Sequence, residues 1–137
     1  MANLTSEEQS LNIRLGSDCK FPISGSFQPV SGLDLLLQDI QQLLLTLPGE
    51  RVNRPNFGCT LRTQIWENLQ DAAVNGASAI RHALVSFEPR IIVSDVTNEI
   101  NDNTGLISFT IHFTVKNTDT KVNLIFPFRA GTALSFA

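Results

Sequence analysis

Three glutamates, Glu50, Glu67 and Glu88, are the residues of this chain whose type and number could support catalysis. Two carboxylates are enough for glycoside hydrolysis, in which one acts as general acid and the other as nucleophile or base. The general acid needs a raised pKa, which an apolar pocket provides. Arg51 is adjacent to Glu50 and Arg90 is two residues from Glu88, and a neighbouring cation favours the charged form of a carboxylate. We therefore expect that the chain is not an enzyme.

The cysteines and histidines do not form a recognisable catalytic or metal-binding set. Cys19 and Cys59 are the only cysteines, and the first ten residues carry no readable secretory signal, so both are expected to be reduced. His82 and His112 lack the close spacing that structural zinc sites use. The sequence also has no Gly-rich phosphate loop and no nucleophile elbow. We predict no cofactor and no metal.

Composition and charge narrow the class of protein. The chain has 137 residues, which fits one domain over residues 1–137, and its 17% of charged residues is below the ~25% of an average soluble protein. Few charges favour a subunit whose faces are covered by partners. A net charge of −3 argues against direct binding to nucleic acid, which needs clustered Lys and Arg. Residues 33–47 are apolar but interrupted and too short to span a bilayer, so no membrane insertion is expected.

Helical periodicity begins near residue 31. The first helix is predicted over residues 31–47, because Pro48 and Gly49 follow it. Its apolar residues recur at steps of three and four and form a broad stripe. The stripe consists of Leu33, Leu36, Leu37, Ile40, Leu43, Leu44 and Leu47. Leu35 and Leu45 lie off the stripe, where leucines would not help a monomer. Structural core is the favoured interpretation of this helix, and a helix covered on two sides is the alternative.

Two further helices are predicted before the β-rich part of the chain. A short helix fits residues 60–69, with Trp66 beside its apolar face. The third helix is expected to begin after an N-cap at Asp71 and to end at Ser86 or Phe87. It must stop there because Pro89 disfavours the helical conformation at the residue before it.

The last third of the chain is predicted to be β-structure. Residues 107–115 alternate strictly between apolar and polar side chains, as in a strand with one buried face. Residues 91–100 and 122–128 are the expected neighbouring strands, and Pro127 places the last strand at an edge. The predicted fold is α+β, with about three helices packed on a C-terminal three-stranded antiparallel meander.

The two ends of the chain are predicted to be an extended N-terminal arm, residues 1–16, and a C-terminal tail, residues 130–137. The tail is uncharged and moderately apolar. An edge strand followed by such a tail suits β-augmentation, in which a second chain adds a strand to the sheet. A tail that folds back on its own domain is the alternative.

Two stretches place arginines, a glutamate and aromatic residues at turns and helix ends. The first contains Leu-Pro-Gly-Glu-Arg at residues 47–51 and Arg-Pro-Asn-Phe-Gly-Cys at residues 54–59; the second is Phe-Glu-Pro-Arg-Ile at residues 87–91. Together with Leu-Gly and Phe-Pro-Ile within residues 15–23, this combination resembles the small baseplate-wedge and sheath-initiator family of contractile phage tails and phage-like injection systems. The resemblance covers roughly residues 15–129.

The resemblance implies an α+β structural subunit at the base of a phage tail, an injection particle or a type VI secretion apparatus. The type VI branch usually has less complete forms of the two loop segments, so a phage tail or phage-like particle is favoured. Implied partners are larger baseplate wedge proteins, the first ring of sheath subunits, and tube or hub proteins. The protein would assemble in the cytoplasm and enter the baseplate of a particle.

The resemblance and the edge-strand argument together give the expected site residues. Partner binding is assigned to Glu88, Pro89, Arg90, Glu50, Arg51, Arg54 and Phe57. Contact with the sheath is assigned to Val122, Leu124, Phe126, Phe128, Leu134 and Phe136. Local folding is the alternative role for the loop at residues 48–59. For the whole protein, the alternatives are a baseplate-associated, lysozyme-like enzyme that cleaves peptidoglycan and an unrelated oligomeric adaptor.

Overall fold

The structure is a computed structural model that describes residues 17–19, 29–116 and 119–129. The elements in chain order are strands β1 (Ser17–Cys19) and β2 (Pro29–Ser31), helix α1 (Leu33–Leu45), a 3₁₀ helix (Thr60–Trp66), helix α2 (Leu69–Phe87), and strands β3 (Ile91–Asn101), β4 (Leu106–Val115) and β5 (Thr120–Arg129). The predicted N-terminal arm at residues 1–16 and the predicted tail at residues 130–137 lie outside the described residues.

The chain divides into two compact units, residues 1–42 and 43–137, and the boundary falls inside α1. In the first unit β1 pairs antiparallel with β2, with Ser17 opposite Ser31. Helix α1 follows Gly32, whose φ of +67° favours glycine. The helix begins one or two residues later and ends two residues earlier than predicted. The single-domain organisation stays a prediction.

Helix α1 buries a wider face than the sequence stripe indicated. The stripe residues Leu36, Ile40, Leu43 and Leu44 are at most 2% exposed. Leu35, which lies off the stripe, is only 5% exposed, which agrees with a helix that is covered on more than one side. Apolar residues on more than one side of this helix are therefore buried.

The second unit is built on an antiparallel sheet in the order β3-β4-β5, which confirms the predicted meander and the edge position of β5. Every second residue of β4 is buried, as the alternation predicted. The buried residues of the sheet are Ile91, Ile107, Phe109, Ile111, Phe113, Val115, Phe126 and Phe128. A bulge between Val93 and Asp95 interrupts the pairing of β3 with β4.

Helix α2 packs closely on this sheet because its inner face is made of small residues. A Cβ added at Gly76 would lie 2.7 Å from the ring of Phe109 and 3.0 Å from Leu61. The side-chain amide of Asn98 on β3 donates to the carbonyl of Ala73 at 2.9 Å. The helix thus meets both β3 and β4, and this contact fixes the direction in which its C-terminal end points.

The ends of α2 were predicted with unequal success. The N-cap is Asn68 rather than Asp71, which lies in the first turn. The C-terminal end at Phe87 is confirmed, and the amide of Glu88 donates to the carbonyl of Leu84 at 2.9 Å. Pro89 therefore stops the helix where the sequence indicated.

The short second helix of the prediction is a 3₁₀ helix, so the described residues contain two α-helices rather than about three. Its seven residues bury Leu61, but Trp66 is 90% exposed instead of lying beside the apolar face. A segment this short makes too few i→i−4 hydrogen bonds to hold an α-helix on its own. Among the described residues, no helix has the length and apolar character needed to cross a membrane.

Candidate docking site

The loop at residues 48–59 has a tightly determined backbone. The amide of Gly49 donates to the carbonyl of Pro55 at 2.7 Å, and the amide of Cys59 donates to the carbonyl of Thr46 at 2.8 Å. Gly58 has a φ of +138°, and a Cβ placed there would lie 2.5 Å from the Thr46 carbonyl oxygen. Only glycine fits this close approach. The loop is thus closed on itself at both ends, which gives its side chains a fixed framework.

Glu50 organises the beginning of this loop. Its Oε2 accepts a hydrogen bond from the amide of Leu47 at 2.8 Å, and its Oε1 lies 3.5 Å from Nη1 of Arg62. Both partners of this ion pair are well exposed, so the pair adds at most about 1 kcal/mol. Glu50 does not pair with Arg51, and its main contacts serve the local structure of the loop.

An aromatic contact joins the loop to the end of α2. The rings of Phe57 and Phe87 have centroids 5.3 Å apart and are inclined by 58°. The guanidinium carbon of Arg51 lies 4.1 Å from the centroid of the Phe57 ring, a cation–π geometry. The two stretches singled out in the sequence therefore meet in space. We call the exposed parts of residues 48–57 and 87–90 the motif surface.

Glu88 and Arg90 form a bidentate ion pair around Pro89. The Nε of Arg90 donates to Oε1 of Glu88 at 2.6 Å, and Nη2 donates to Oε2 at 2.7 Å. The Glu88 side chain is 7% exposed and the Arg90 side chain 29% exposed. The backbone amide of Arg90 also donates to Oε1, at 3.3 Å. This pair is internal to the chain, and it holds Pro89 and the outer part of Arg90 at the surface.

The position of this pair couples the helix end to the sheet. The carbonyl of Arg90 accepts a hydrogen bond from the amide of Lys116 at 2.9 Å, directly beyond the end of β4.

The residues assigned to partner binding differ in exposure. The side chain of Arg54 in the loop is exposed, and Pro89 is also exposed. Of the residues assigned to partner binding, Arg54 and Pro89 are thus among the most accessible, and Glu88 is the least.

A groove of about 550 Å³ lies between the loop, the 3₁₀ helix and α2. Its lining includes Pro48, Gly58, Ala83 and Phe87 and the polar side chain of His82, and it contains no carboxylate residue. The pKa of the Cys59 thiol is raised by burial, and a hydrogen bond to the backbone of Leu61 offsets part of that effect. A protonated thiol is a poor nucleophile. The groove therefore offers no carboxylate pair for glycoside hydrolysis.

The three glutamates of the catalytic hypothesis are each engaged elsewhere. Glu50 contacts Arg62, the carboxylate of Glu67 accepts from the side-chain amide of Asn75 at 2.9 Å, and Glu88 is paired with Arg90. In the described part of the chain, no group of three or more metal-ligating side chains comes together. Each of the three carboxylates therefore has a contact within the chain.

The residues assigned to sheath contact have unequal exposure. On β5, Val122 and Leu124 are half-buried, whereas Phe126 and Phe128 are 2% and 0% exposed. The ring of Phe128 packs 6.3 Å from that of Phe109 in the core. The side chains of Phe126 and Phe128 are therefore core residues. Leu134 and Phe136 lie outside the described residues.

The sequence missed several contacts in and around the motif surface. Phe87 was part of the second motif stretch but was not assigned to the site. Arg62 was not considered as the partner of Glu50, because the contact depends on how the 3₁₀ helix folds. The aromatic contact between Phe57 and Phe87 joins residues far apart in sequence and had no local signal.

The fold is that of a small α+β protein with a three-stranded antiparallel sheet whose outer strands are β3 and β5. The model of the family described as baseplate wedge protein gp25 matches residues 30–120, which is more than half of the chain. The chain belongs to this family of baseplate wedge proteins. The family resemblance read from the two sequence stretches is thereby confirmed.

Solved structures with the same fold support this assignment. A protein from Geobacter sulfurreducens, provisionally named a tail lysozyme, is 28% identical with a TM-score of 0.67, over 77% of this chain and 97% of that one. A chain of the anti-feeding prophage baseplate is 22% identical with a TM-score of 0.62, over 90% and 92%. A chain of a type VI secretion baseplate is 19% identical with a TM-score of 0.60, over 71% and 92%. Among curated protein sequences, none matched the chain.

Proposed function

We propose that this chain joins the baseplate wedge to the sheath of a contractile tail or injection machine and starts sheath assembly by β-augmentation. The observation that carries this proposal is the family match, since baseplate wedge proteins are components of such machines. The chain would bind its two kinds of partner through two separate surfaces. The motif surface contacts larger wedge proteins, and the β5 edge with the tail at residues 130–137 receives the first ring of sheath subunits. Tube or hub proteins are further partners.

The geometry of the motif surface supports its role in wedge binding. Its framework is rigid, because Gly49 and Gly58 close the loop and the Glu88–Arg90 pair fixes the helix end. Exposed on this framework are the planar guanidinium of Arg51, the side chain of Arg54 and the ring of Pro89. Arginines held in place on a rigid surface lose little conformational entropy on binding, which favours a specific interface.

A charge reversal tests the wedge contact. We expect Arg54→Glu to remain folded, because the side chain is exposed, but to lose co-purification with the wedge proteins of the same gene cluster. Arg81→Glu on the exposed side of α2 is the matched control, with the same charge change away from the motif surface. Equal loss with both variants, or with neither, would exclude the motif surface as the wedge contact.

Deleting residues 130–137 tests the sheath contact separately. We expect the shortened chain to enter baseplates but to give fewer sheathed particles in electron micrographs. Normal sheath on such baseplates would remove the tail from the proposal. Assembly would take place in the cytoplasm, and the assembled chain would stay in the baseplate of the particle.

We infer that the chain has no catalytic activity, and the competing lysozyme-like function can be tested directly. That alternative rests on the provisional name of the Geobacter sulfurreducens relative. It predicts lysis of bacterial cell walls in a turbidity assay, and loss of lysis with Glu50→Gln or Glu88→Gln. We expect no lysis by the unmodified chain, because none of its engaged glutamates lines the groove.

A further inference from the structure

The groove between the loop, the 3₁₀ helix and α2 adjoins the motif surface and favours an uncharged ligand. Pro48, Asn56 and Phe87 line the groove and also belong to the two motif stretches. None of the described residues that line it is Lys, Arg, Asp or Glu. Just past Phe87 in the chain, Glu88 and Arg90 are paired with each other. A ligand that carries its own charge would lose water in the groove without gaining an ion pair there.

Polar side chains line both walls of the groove. On α2, Asn75, Ser78 and His82 follow one another at steps of three and four residues, so they share one side of the helix. Asn56 of the loop and Thr60 of the 3₁₀ helix belong to the other wall. Within the described part of the chain, the side chains of Asn56, Ser78 and His82 make no hydrogen bond to another residue. Their donors and acceptors are thus available to a ligand.

The spacing of these groups matches an extended peptide. From Asn75 to His82 the helix rises by about 10.5 Å, which is the length of about three residues of a strand. The N–H and C=O groups of an extended segment point to its two sides, and here each wall offers amide, hydroxyl or imidazole groups. Gly58, Ala79 and Ala83 also line the groove, and these small residues leave room for a main chain.

The walls of the groove are fixed in the free chain. The amide of Cys59 donates to the carbonyl of Thr46 at 2.8 Å, which holds the loop. The close approach of Gly76 to Phe109 holds α2 on the sheet. A ligand that enters a preformed groove avoids the entropy cost of ordering its walls.

The groove is apolar at the end next to the motif surface, where Pro48 and the half-buried Phe87 line it. About 18 Å away along α2, the side-chain amide of Asn75 donates to Glu67 at 2.9 Å, so that end is polar. We propose that this groove binds an extended, uncharged segment of a larger wedge protein, with one apolar side chain of the segment placed against Phe87. This inference rests on the proposed wedge contact and specifies the kind of segment that makes it.

Filling the groove tests this assignment. Ala79→Leu enlarges a half-buried residue that lines the groove, whereas Ala77→Leu makes the same change at a half-buried position of α2 outside it. Each full-length variant is titrated with the purified wedge proteins of the same gene cluster, and circular dichroism confirms its folding. We expect Ala79→Leu to weaken binding by roughly tenfold or more and Ala77→Leu by less than about threefold. Equal effects of the two variants would overturn the assignment.

Removal of a single polar group is a milder test. Ser78→Ala should weaken wedge binding severalfold, because it removes a hydroxyl that bonds the peptide groups of the partner. Gln70→Ala removes an exposed polar side chain of the same helix outside the groove and should have no effect. If Ser78→Ala and Ala79→Leu bind normally while Arg54→Glu does not, the groove assignment is overturned and the wedge contact stands. No binding by the unmodified chain would overturn both.

Cross-linking identifies the segment that occupies the groove. Ser78→Cys in a Cys19→Ser background accepts a short photoreactive group, because the remaining cysteine, Cys59, is buried. Mass spectrometry of the irradiated wedge complex then locates the attached peptide. We expect a wedge-protein segment with at least about three consecutive residues other than Lys, Arg, Asp and Glu. Attachment to a charged segment, or to residues 130–137 of the same chain, would contradict the proposal.

Discussion

The bidentate pair between Glu88 and Arg90 gives a quantitative prediction about stability. Arg90→Met removes the cation and leaves a carboxylate that is 7% exposed. Breaking a buried ion pair by removing one partner costs about 3–5 kcal/mol. Because the Arg90 side chain is 29% exposed, water replaces part of the lost interaction. We therefore expect the free energy of unfolding to fall by about 2–3 kcal/mol, at or below the lower limit of that range.

A double-mutant cycle separates this pair from the packing of the arginine stem. In a Glu88→Gln background no charge is stranded, so the further change Arg90→Met should lower the free energy of unfolding by only about 1 kcal/mol. The coupling energy would then be about 1–2 kcal/mol. Arg81→Met is the control for an exposed arginine, with an expected change within about 0.5 kcal/mol.

The assay for this cycle is chemical denaturation followed by far-ultraviolet circular dichroism. The single tryptophan, Trp66, is 90% exposed, so its fluorescence would change little on unfolding. A coupling energy below about 0.5 kcal/mol would refute the role of the pair in stability. In that case, any baseplate defect of an Arg90 variant would point to a direct contact with a partner.

Three further predictions concern the loop and the helix packing. Gly58→Ala should destabilise the fold by more than about 3 kcal/mol, because the added Cβ would meet the Thr46 carbonyl. Gly49→Ala, at a φ of +96° with open space around it, should lose only about 1–2 kcal/mol of stability. Equal losses for the two variants in thermal unfolding would contradict this difference. Gly76→Ala should lose about 1–3 kcal/mol by overpacking, and a stabilised variant would refute the close contact. In a Cys19→Ser background, Cys59 should react with a thiol reagent at neutral pH only on unfolding, because burial raises its pKa; rapid reaction in the folded state would contradict this.

Elements with a strong repeating pattern could be predicted from the sequence. The alternation of residues 107–115 predicted the central strand and its buried face, because a period of two matches the pleat of a half-buried strand and not the turn of a helix. The end of α2 was predicted because Pro89 excludes the helical conformation before it. The edge position of β5 followed from Pro127 in the same way.

Features that depend on tertiary contacts were predicted less well. The segment at residues 60–66 has helical periodicity, but its seven residues form a 3₁₀ helix and leave Trp66 in solvent. Leu35 is buried although it lies off the apolar stripe, since burial depends on what covers the helix and not on its own pattern. The N-cap of α2 was predicted at Asp71, whereas the structure has it at Asn68. Asp and Asn are both favourable N-cap residues, so residue type alone does not distinguish the two positions.

The candidate site shows the same division. The motifs correctly identified the family. The partner-binding role of Phe57, Glu88 and Arg90 stays a prediction. The contact of Phe57 with Phe87 could not be predicted, because it requires the loop and the helix end to meet in three dimensions. Glu88 and Arg90 were expected to face a partner subunit, which stays a prediction, and the structure shows that the two side chains bind each other.

Electron cryo-microscopy of the particle that contains this chain tests the central claim most directly. The proposal predicts density for the chain between the wedge and the first sheath ring. Residues 48–57 and 87–90 should face wedge proteins, and a sheath strand should lie beside β5. A complete baseplate that lacks this chain, or a position with no contact to either wedge or sheath, would contradict the account.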